Sequence, residues 1–340
     1  MYQERVINNL YDDKSAINLL ESNDLSPPQN IDFSIGIYDK NEVLIGIGSR
    51  CGDILQGIAV HKDYIGQGLS ATIVTKLIKN ASINGISHLF MFTKPKMVKQ
   101  FTSLGFRMIA EADPYAAFLE YGASDVKKHQ NYLASLAAGK PSNAACLVMN
   151  CNPFTSGHRF IIEHASRNSD FVYIFVVEED ASIFPFEVRY DLVKKGTEDL
   201  KNIMVIPSGK YIISNMTFPS YFTHDENKAK AFAALDAEIF LNVIVPPMSI
   251  KKRFLGSEPF SVVTAKYNEE LKKRLPAGGV KVEIIERYEK SGIPISASYI
   301  RKCIKEDNLD LIREYVPNST FEYLRSDKSK DVIKKIRETN

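Results

Sequence analysis

From residue 144 onward, short apolar runs alternate with amphipathic segments, and this alternation restricts the fold more than any other feature of the chain. Apolar runs at Ala144–Met149, Phe171–Val177 and Ile203–Ile206 predict strands, and the segments His158–Ser166 and Phe186–Leu200 predict helices between them. Strands that alternate regularly with helices indicate parallel pairing, because a parallel pair needs a long crossover. The same rhythm continues with four further elements: a helix at Glu226–Asn242, a strand near Phe254, a helix at Val262–Leu275 and a strand at Val280–Ile285.

The first third of the chain has a different pattern. Phe33–Tyr38 and Val43–Ser49 are apolar runs separated by a four-residue turn, which predicts a hairpin. Asp53–Val60 predicts a third strand, and a glycine-rich turn with a helix leads from it to a strand at His88–Phe92. Antiparallel strands followed by a strand–helix–strand unit predict a mixed sheet.

Length and a helical connector divide the chain. A chain of 340 residues exceeds the usual size of one hydrophobic core. Residues 125–140 contain good helix formers and end at Gly139 and Pro141, a typical helix stop. We therefore expect a first domain over residues 1–124, a connector over 125–140, and a second domain over 141–340 that ends in a helical tail.

Composition excludes several classes of protein. Lys and Arg number 43 against 41 Asp and Glu, so the chain lacks the positive charge that binds polymeric nucleic acid. Its four cysteines, Cys51, Cys146, Cys151 and Cys303, have no zinc-site or disulfide-framework spacing. The first residues carry charges throughout, and no run approaches the ~18 apolar residues of a membrane span. We expect a cytoplasmic protein that associates with no membrane.

The stretch NPFTSGH, residues 152–158, follows the buried run Ala144–Met149 and leads at once into an amphipathic helix. Ligands of parallel sheets bind beyond the carboxyl ends of the strands, and the unpaired amides of a helix start favour an anion. Gly157 would allow the chain to approach that anion, and Thr155 and His158 would donate hydrogen bonds. A turn with a solvated histidine is an equally good interpretation of this stretch alone.

A second stretch, PISASYIR at residues 294–301, favours the anion site. Ser296 is a natural N-cap, Ser298 lies in the first turn, and Arg301 lies one turn further, where its guanidinium could reach an anion. Capping alone explains only Ser296. Two such helix starts in one domain predict a polyphosphate bound between them.

The two motifs resemble those of known protein families. Thr-x-Gly-His, followed near the end by Ile-Ser-x-Ser-x-x-Arg, resembles the nucleotidyltransferase superfamily of the HxGH type, with Thr155 in place of the first histidine. Together with Ser214–Phe222, Phe254–Asn268 and the acetyltransferase-like unit before them, nearly the whole chain resembles the citrate lyase ligase family. This resemblance implies an α/β protein with a GNAT-like mixed-sheet N-terminal domain and a Rossmann-like parallel-sheet nucleotidyltransferase domain.

The resemblance also implies a reaction. Acetate attacks the α-phosphorus of ATP, giving acetyl-adenylate and pyrophosphate, and a thiol then takes the acetyl group and releases AMP. That thiol belongs to the phosphoribosyl-dephospho-CoA prosthetic group of the citrate lyase acyl carrier subunit. His158 and Thr155 would stabilise charge on the transferred phosphate, while Ser296, Ser298 and Arg301 would hold the other phosphates. Mg²⁺ would neutralise the polyphosphate, although no carboxylate stands out as its ligand.

Other candidate residues have weaker support. Asn152 and Phe154 belong to the first turn and would shape the nucleotide pocket. Gly256 and Glu258 follow an apolar strand and would lie near the adenosine, although a structural turn is an equal interpretation. Lys210, beyond the strand Ile203–Ile206, would contact phosphate or would simply be solvated.

The first domain contains a loop that resembles a known cofactor-binding loop but lacks two of its usual residues. Residues 60–69 resemble the acetyl-CoA loop of GNAT-type acyltransferases, and Gly66, Gln67 and Gly68 would expose amides to an anion. Ile65 stands at the usual basic position and Ser70 at the last glycine. We therefore prefer a pantetheine-binding or carrier-docking module over a scaffold, and a scaffold over an active acetyltransferase.

Three alternatives to the ligase remain open. A pantetheine-phosphate-type adenylyltransferase would retain AMP in its product, whereas the ligase releases AMP. A noncatalytic adenine-nucleotide sensor would not need the full polyphosphate set of residues. An N-acetyltransferase would act through the first domain, against which Ile65 and Ser70 argue.

Overall fold

The computed structural model describes residues 2–178, 182–213, 218, 225–257, 262–286, 288–290 and 293–338. Glu258 and most of Ser214–Phe222 lie outside these residues. The chain forms two compact units, one made of residues 1–130 with 218–242 and the other of residues 131–217 with 243–340.

The described strands are β1 (Gln3–Val6), β2 (Phe33–Tyr38), β3 (Leu44–Cys51), β4 (Ile54–Val60), β5 (His88–Thr93), β6 (Arg107–Ala112), β7 (Ala116–Gly122), β8 (Ala144–Met149), β9 (Val172–Val176), β10 (Ile203–Pro207), β11 (Ile250–Gly256), β12 (Lys281–Ile285), β13 (Glu289–Lys290) and β14 (Ile293–Pro294). The described α-helices are α1 (Lys14–Glu21), α2 (Leu69–Ile83), α3 (Val98–Thr102), α4 (Val126–Ala137), α5 (Ser156–Arg167), α6 (Phe186–Lys195), α7 (Asp225–Ile239), α8 (Val245–Met248), α9 (Val262–Ala277), α10 (Ala297–Lys305), α11 (Asn318–Arg325) and α12 (Lys330–Glu338). A π-helical turn, Phe240–Ile244, joins α7 to α8.

The first unit contains a seven-stranded mixed sheet in the order β1-β2-β3-β4-β5-β7-β6. β4 and β5 are parallel and joined by α2, and the other neighbouring pairs are antiparallel. The mixed sheet expected from the sequence is confirmed. β1 was missed because all four of its residues are exposed, so its side chains show no apolar alternation.

Residues 218–242 group with the first unit, which the sequence did not anticipate. α7 packs on β6 and β7, and its apolar residues Ala231, Ala233, Ala234, Leu235 and Ala237 are completely buried. The sequence analysis placed this helix with the segments before and after it, because local periodicity shows that a helix has an apolar face but not which sheet covers that face.

The segment Lys228–Met248 contains an 18-residue window with a mean hydropathy of 1.4, so among the described residues one helical segment is long and apolar enough to cross a membrane. The sequence analysis found no run of this kind. In the structure, 67% of this window is buried inside the protein. Core helices of soluble proteins meet the same criterion, so the segment is weak support for a membrane span.

The second unit contains a five-stranded sheet in the order β10-β9-β8-β11-β12, and all of its strand pairs are parallel. This confirms the parallel sheet expected from the alternation of strands and helices. The chain proceeds from β8 to β9 and β10 on one side, whereas β11 and β12 are added on the other side. The order therefore reverses between β8 and β11, and such a switch point leaves a crevice at the carboxyl ends of the strands.

Candidate functional site

The chain leaves β8 through a buried turn at this switch point. Cys151 adopts a left-handed backbone conformation with φ of 54°, and its side chain is buried. Burial raises the pKa of the Cys151 thiol to about 12, so this cysteine is a packing residue and not a nucleophile. The Asn152 side chain accepts a hydrogen bond from the Phe184 N–H at 3.0 Å, and this bond holds the turn against the loop after β9.

Thr155 and His158 form a reciprocal cap at the start of α5. The Thr155 hydroxyl oxygen accepts from the His158 N–H at 3.3 Å, and the Thr155 N–H donates to His158 Nδ1 at 3.1 Å. The hydroxyl also lies 2.9 Å from Nδ1. Because Nδ1 accepts a backbone hydrogen bond, it has no proton of its own, and the hydrogen of the neutral ring is on Nε2.

This cap changes the role that Thr155 can have. From its place in the sequence, the Thr155 hydroxyl was expected to donate directly to phosphate, but the side chain is only 1% exposed and is engaged with His158. The contacts therefore support a positioning role for Thr155, in which it selects the tautomer and orientation of His158. Phe154 is also completely buried, and its ring stacks near the His158 ring with centroids 6.2 Å apart. Phe154 supports the histidine from within the core and is not available as a wall of the nucleotide pocket.

The first-turn amides of α5 are largely satisfied within the protein. The Ser156 N–H donates to the Tyr315 carbonyl at 2.9 Å, and the His158 N–H donates to Thr155. Fewer amides of this turn are therefore available to an anion than the sequence alone suggested.

Gly157 allows a second segment to approach. A Cβ atom at Gly157 would lie 3.1 Å from the Ile295 carbonyl oxygen and 3.6 Å from the Ile295 Cβ. The sequence analysis expected Gly157 to make room for a bound anion. The structure shows that it makes room for the chain just before α10, and this close approach brings the starts of α5 and α10 together.

The start of α10 supplies the remaining polar groups. The Ser296 hydroxyl accepts from the Tyr299 N–H at 3.0 Å and so caps the helix, while Ser298 is exposed. Arg301 donates to the Asn152 carbonyl and, at 3.2 Å, to the Ser298 hydroxyl. Burial lowers the pKa of the Arg301 guanidinium, which still remains charged at neutral pH because its ordinary value is so high.

The structure thus brings together Asn152, Thr155, Gly157, His158, Ser296, Ser298 and Arg301 at the switch point. The polar groups gathered here are a guanidinium, an imidazole and the hydroxyls of Ser296 and Ser298. Such donors at two helix starts suit a polyphosphate and do not suit a hard cation such as Mg²⁺, which prefers oxygen ligands. Within the described part of the chain, no group of three or more His, Cys, Asp or Glu side chains could hold a metal ion.

The remaining candidates lie around this centre. Gly256 ends β11, the strand next to β8, and a Cβ there would lie 2.9 Å from Ile161 Cδ1 on α5. Gly256 therefore belongs to the same crevice, where its small size lets α5 pack closely.

Lys210 is exposed beyond β10, two strands away from β8. We still only predict that Lys210 contacts phosphate. Glu258 lies outside the described residues, so its contact with the nucleotide also stays a prediction.

Sequence reasoning missed the residues that hold this turn from a distance. The Thr320 hydroxyl donates to the Phe154 carbonyl at 2.8 Å, and the Tyr315 carbonyl accepts from Ser156. Arg189, on α6, is completely buried and donates to carbonyl oxygens at the ends of β8 and β9. The only signal for Arg189 was its place on the apolar face of a predicted helix, where an arginine is unusual.

The first unit contains a separate cavity of about 690 Å³. β4 and β5 pair only at Ile54↔Phe90 and Leu55↔Met91, and the cavity is lined by residues from both strands. Gly66 and Gly68 lie at its edge with φ of 86° and 78°, and a Cβ at either position would meet open space. Lys94 and Lys96 also line the cavity, and the Lys94 ammonium lies 3.5 Å from the carboxylate of Asp24, which lines the cavity as well.

A parallel sheet with two donor-rich helix starts at its switch point defines an α/β protein of the nucleotide-binding class. Comparison with known proteins identifies the family. A family model described as the citrate lyase ligase C-terminal domain matches residues 144–324. The citrate (pro-3S)-lyase ligase of Escherichia coli (strain K12) is 34% identical over 90% of this chain and 88% of its own length. That of Klebsiella pneumoniae is 33% identical over 90% of each chain. The chain belongs to the citrate lyase ligase family.

Solved structures also match part of the chain. A crystal structure described as a putative acyl-CoA N-acyltransferase from Klebsiella pneumoniae is 18% identical, with a TM-score of 0.32, and covers 36% of this chain and 97% of its own.

Proposed function

We propose that this protein makes acetyl-adenylate from ATP and acetate and then acetylates the prosthetic-group thiol of the citrate lyase acyl carrier subunit, which activates the lyase. Membership of the family supports the overall reaction. The observation that supports its chemistry is the close approach of the α5 and α10 starts. There Arg301 donates to the Asn152 carbonyl, and His158 contacts Thr155, three residues further along the same turn.

In the first half-reaction, a carboxylate oxygen of acetate forms a bond to the α-phosphorus of ATP. The bond from that phosphorus to the β-bridging oxygen breaks, and pyrophosphate leaves with its electron pair. His158 Nε2–H donates to an oxygen of the transferred phosphate, while the cap with Thr155 maintains this tautomer. Arg301 and Ser298 hold the phosphates that depart as pyrophosphate, and Ser296 orients the helix that carries them.

In the second half-reaction, the carrier thiol loses its proton to solvent and attacks the acetyl carbonyl. A carbon–sulfur bond forms, the bond between the carbonyl carbon and the phosphate oxygen breaks, and AMP leaves. The thiol is that of the carrier's prosthetic group, phosphoribosyl-dephospho-CoA. Burial raises the pKa of the Cys151 thiol, so this cysteine does not compete as a nucleophile. Mg²⁺ would be held by the phosphates of ATP and would neutralise part of their charge, since the described donors of the crevice suit the anion. We place this activity in the cytoplasm, with no membrane or nucleic-acid partner.

The cavity of the first unit supports a second role in the same reaction. A volume of about 690 Å³ with glycine amides and lysines at its edge is suited to an extended pantetheine arm that ends in an anionic group. We assign it to the binding of the carrier's arm. There are two alternative roles for the first unit: it is a scaffold that binds no ligand, or it is an acetyltransferase that uses this cavity.

One assay separates the candidate functions. ATP, acetate and deacetylated citrate lyase are incubated with the protein, and AMP, pyrophosphate and lyase activity are measured. The ligase releases AMP and restores lyase activity. A dinucleotide product that retains AMP would identify a pantetheine-phosphate-type adenylyltransferase, and ATP binding without turnover would identify a nucleotide sensor. Acetylation from acetyl-CoA without ATP would identify an acetyltransferase.

A further inference from the structure

A completely buried arginine holds together the strand ends that carry the crevice. Arg189, four residues into α6, has no exposed surface. Its Nη1 donates to the Asn150 carbonyl and to the Val177 carbonyl, both at 2.8 Å, and its Nε donates to the Phe184 carbonyl at 2.9 Å. One guanidinium therefore joins the residues after β8, the end of β9 and the loop before α6.

The residues that Arg189 holds directly adjoin the turn between β8 and α5, residues 151–155, at the edge of the crevice. Asn150 directly precedes Cys151 and Asn152, and its side-chain oxygen accepts a further bond from Arg189 at 2.7 Å. Asn150 also donates to the Ser182 hydroxyl at 3.1 Å, and Asn152 accepts from Phe184. The Arg189 charge also acts on the Cys151 thiol, where it opposes the rise in pKa that burial causes. The turn is thus held by hydrogen bonds at Asn150 and at Asn152.

This anchoring has a consequence for the reacting groups. The Asn152 carbonyl is the acceptor that orients Arg301, and Thr155, three residues further, orients His158. A shift of the turn would move both groups relative to the phosphates at once. Misplacement by about 1 Å costs a reaction of this kind ~10²-fold in rate.

We propose that Arg189 is a positioning residue for adenylyl transfer, which acts by fixing the backbone turn that presents His158 and orients Arg301. The inference rests on the proposed formation of acetyl-adenylate. Arg189 itself touches no substrate, because it is completely enclosed by protein.

The test is acetate-dependent exchange of pyrophosphate into ATP by the full-length protein, with kcat and KM for ATP measured separately. Arg189→Lys keeps a positive charge but has one nitrogen where arginine uses both Nε and Nη1, so it cannot donate to the Phe184 carbonyl and to the two strand-end carbonyls from separate positions. We expect its kcat to fall by about tenfold or more with little change in KM, since bound ATP would be held in a poorer geometry. Asn150→Ala, at an exposed residue, removes one acceptor of Arg189 and should lower kcat in the same way but less.

Val193→Ala is the stability control, because it removes core packing on the same helix without removing any hydrogen bond of Arg189 or of the turn. It should lose thermal stability and retain kcat. Equal losses of kcat in Val193→Ala and Arg189→Lys at equal thermal stability would reduce Arg189 to a structural residue, and a change in KM alone would also refute the proposal. If Arg189→Lys does not fold, an unchanged kcat in Asn150→Ala overturns it. Absence of exchange in the wild-type protein would instead refute the proposed function, and this inference with it.

Discussion

His158 combines two properties that a donor to a reacting phosphate needs. Its Nδ1 is occupied by Thr155 and its ring is stacked near the buried Phe154, so the orientation of Nε2–H is set before ATP binds. We expect His158→Ala to lower the rate of pyrophosphate exchange by ~10²–10³-fold, the usual cost of one preorganised donor. Thermal unfolding should show that the variant is folded. Exchange close to the wild-type rate in the folded variant would contradict the assignment.

Thr155 offers a test of positioning against direct contact. Thr155→Val retains the shape but removes the hydroxyl that caps α5 and contacts Nδ1, and Thr155→Ser retains the hydroxyl. Loss of the cap should lower the free energy of unfolding by about 1 kcal/mol. We also expect a lower kcat in the valine variant alone, measured by pyrophosphate exchange at saturating ATP. A large rise in KM for ATP with unchanged kcat would restore the direct phosphate contact that the sequence suggested.

Arg301 uses two separate nitrogens, one for the Asn152 carbonyl and one for Ser298. Lysine supplies a single point donor and cannot reproduce this fork. Arg301→Lys should therefore weaken ATP binding and slow exchange, both measured by steady-state kinetics. Lys302→Arg, at the exposed neighbouring position, is the control and should behave as wild type. Equal activity of Arg301→Lys and the wild type would show that charge alone suffices at residue 301.

At the scale of elements, the decisive feature is the approach of α10 to α5. In Gly157→Ala the new Cβ would lie 3.1 Å from the Ile295 carbonyl, so the two helix starts must separate by a few tenths of an ångström. We expect lower exchange activity without loss of stability, because alanine otherwise favours a helix over glycine. Arg167→Ala, at the exposed far end of α5, should have no effect on exchange. Full activity in Gly157→Ala would show that the distance between the helix starts is not critical.

The elements also show what the sequence can and cannot predict. β8 was predicted at Ala144–Met149, the observed bounds, because a strand buried on both faces has an uninterrupted apolar pattern. The two helix starts of the candidate site were predicted from capping residues and glycine, which act locally. The contact of Gly157 with Ile295 and the anchoring of the turn by Arg189 were not predictable, since they join distant parts of the chain. Thr155 was given a direct role because its sequence position does not show that its hydroxyl is enclosed.

At the scale of the whole molecule, the two units allow the half-reactions to be tested separately. Ala71, in the first turn of α2, lines the cavity of the first unit, whereas Thr75 lies one turn further on and is exposed. Ala71→Trp should occupy part of the cavity, leave pyrophosphate exchange unchanged and slow acetyl transfer to the carrier. Thr75→Trp is the control and should change neither half-reaction. Unchanged transfer in Ala71→Trp would reduce the first unit to a scaffold.

The membership of residues 218–242 in the first unit has a consequence for protein synthesis. Phe92 of the first sheet contacts Phe218, with ring centroids 5.7 Å apart, and α7 covers β6 and β7. When the ribosome has made residue 130, these partners are still 88 to 112 residues away, counted to residues 218 and 242. At a translation rate of ~5–20 residues per second, residues 218–242 are synthesised roughly 4–22 s after residue 130, and the sheet is incomplete during that time. During that interval the nascent chain presents the aromatic face of Phe92 and Phe118 to solvent, which is the kind of surface that chaperones bind.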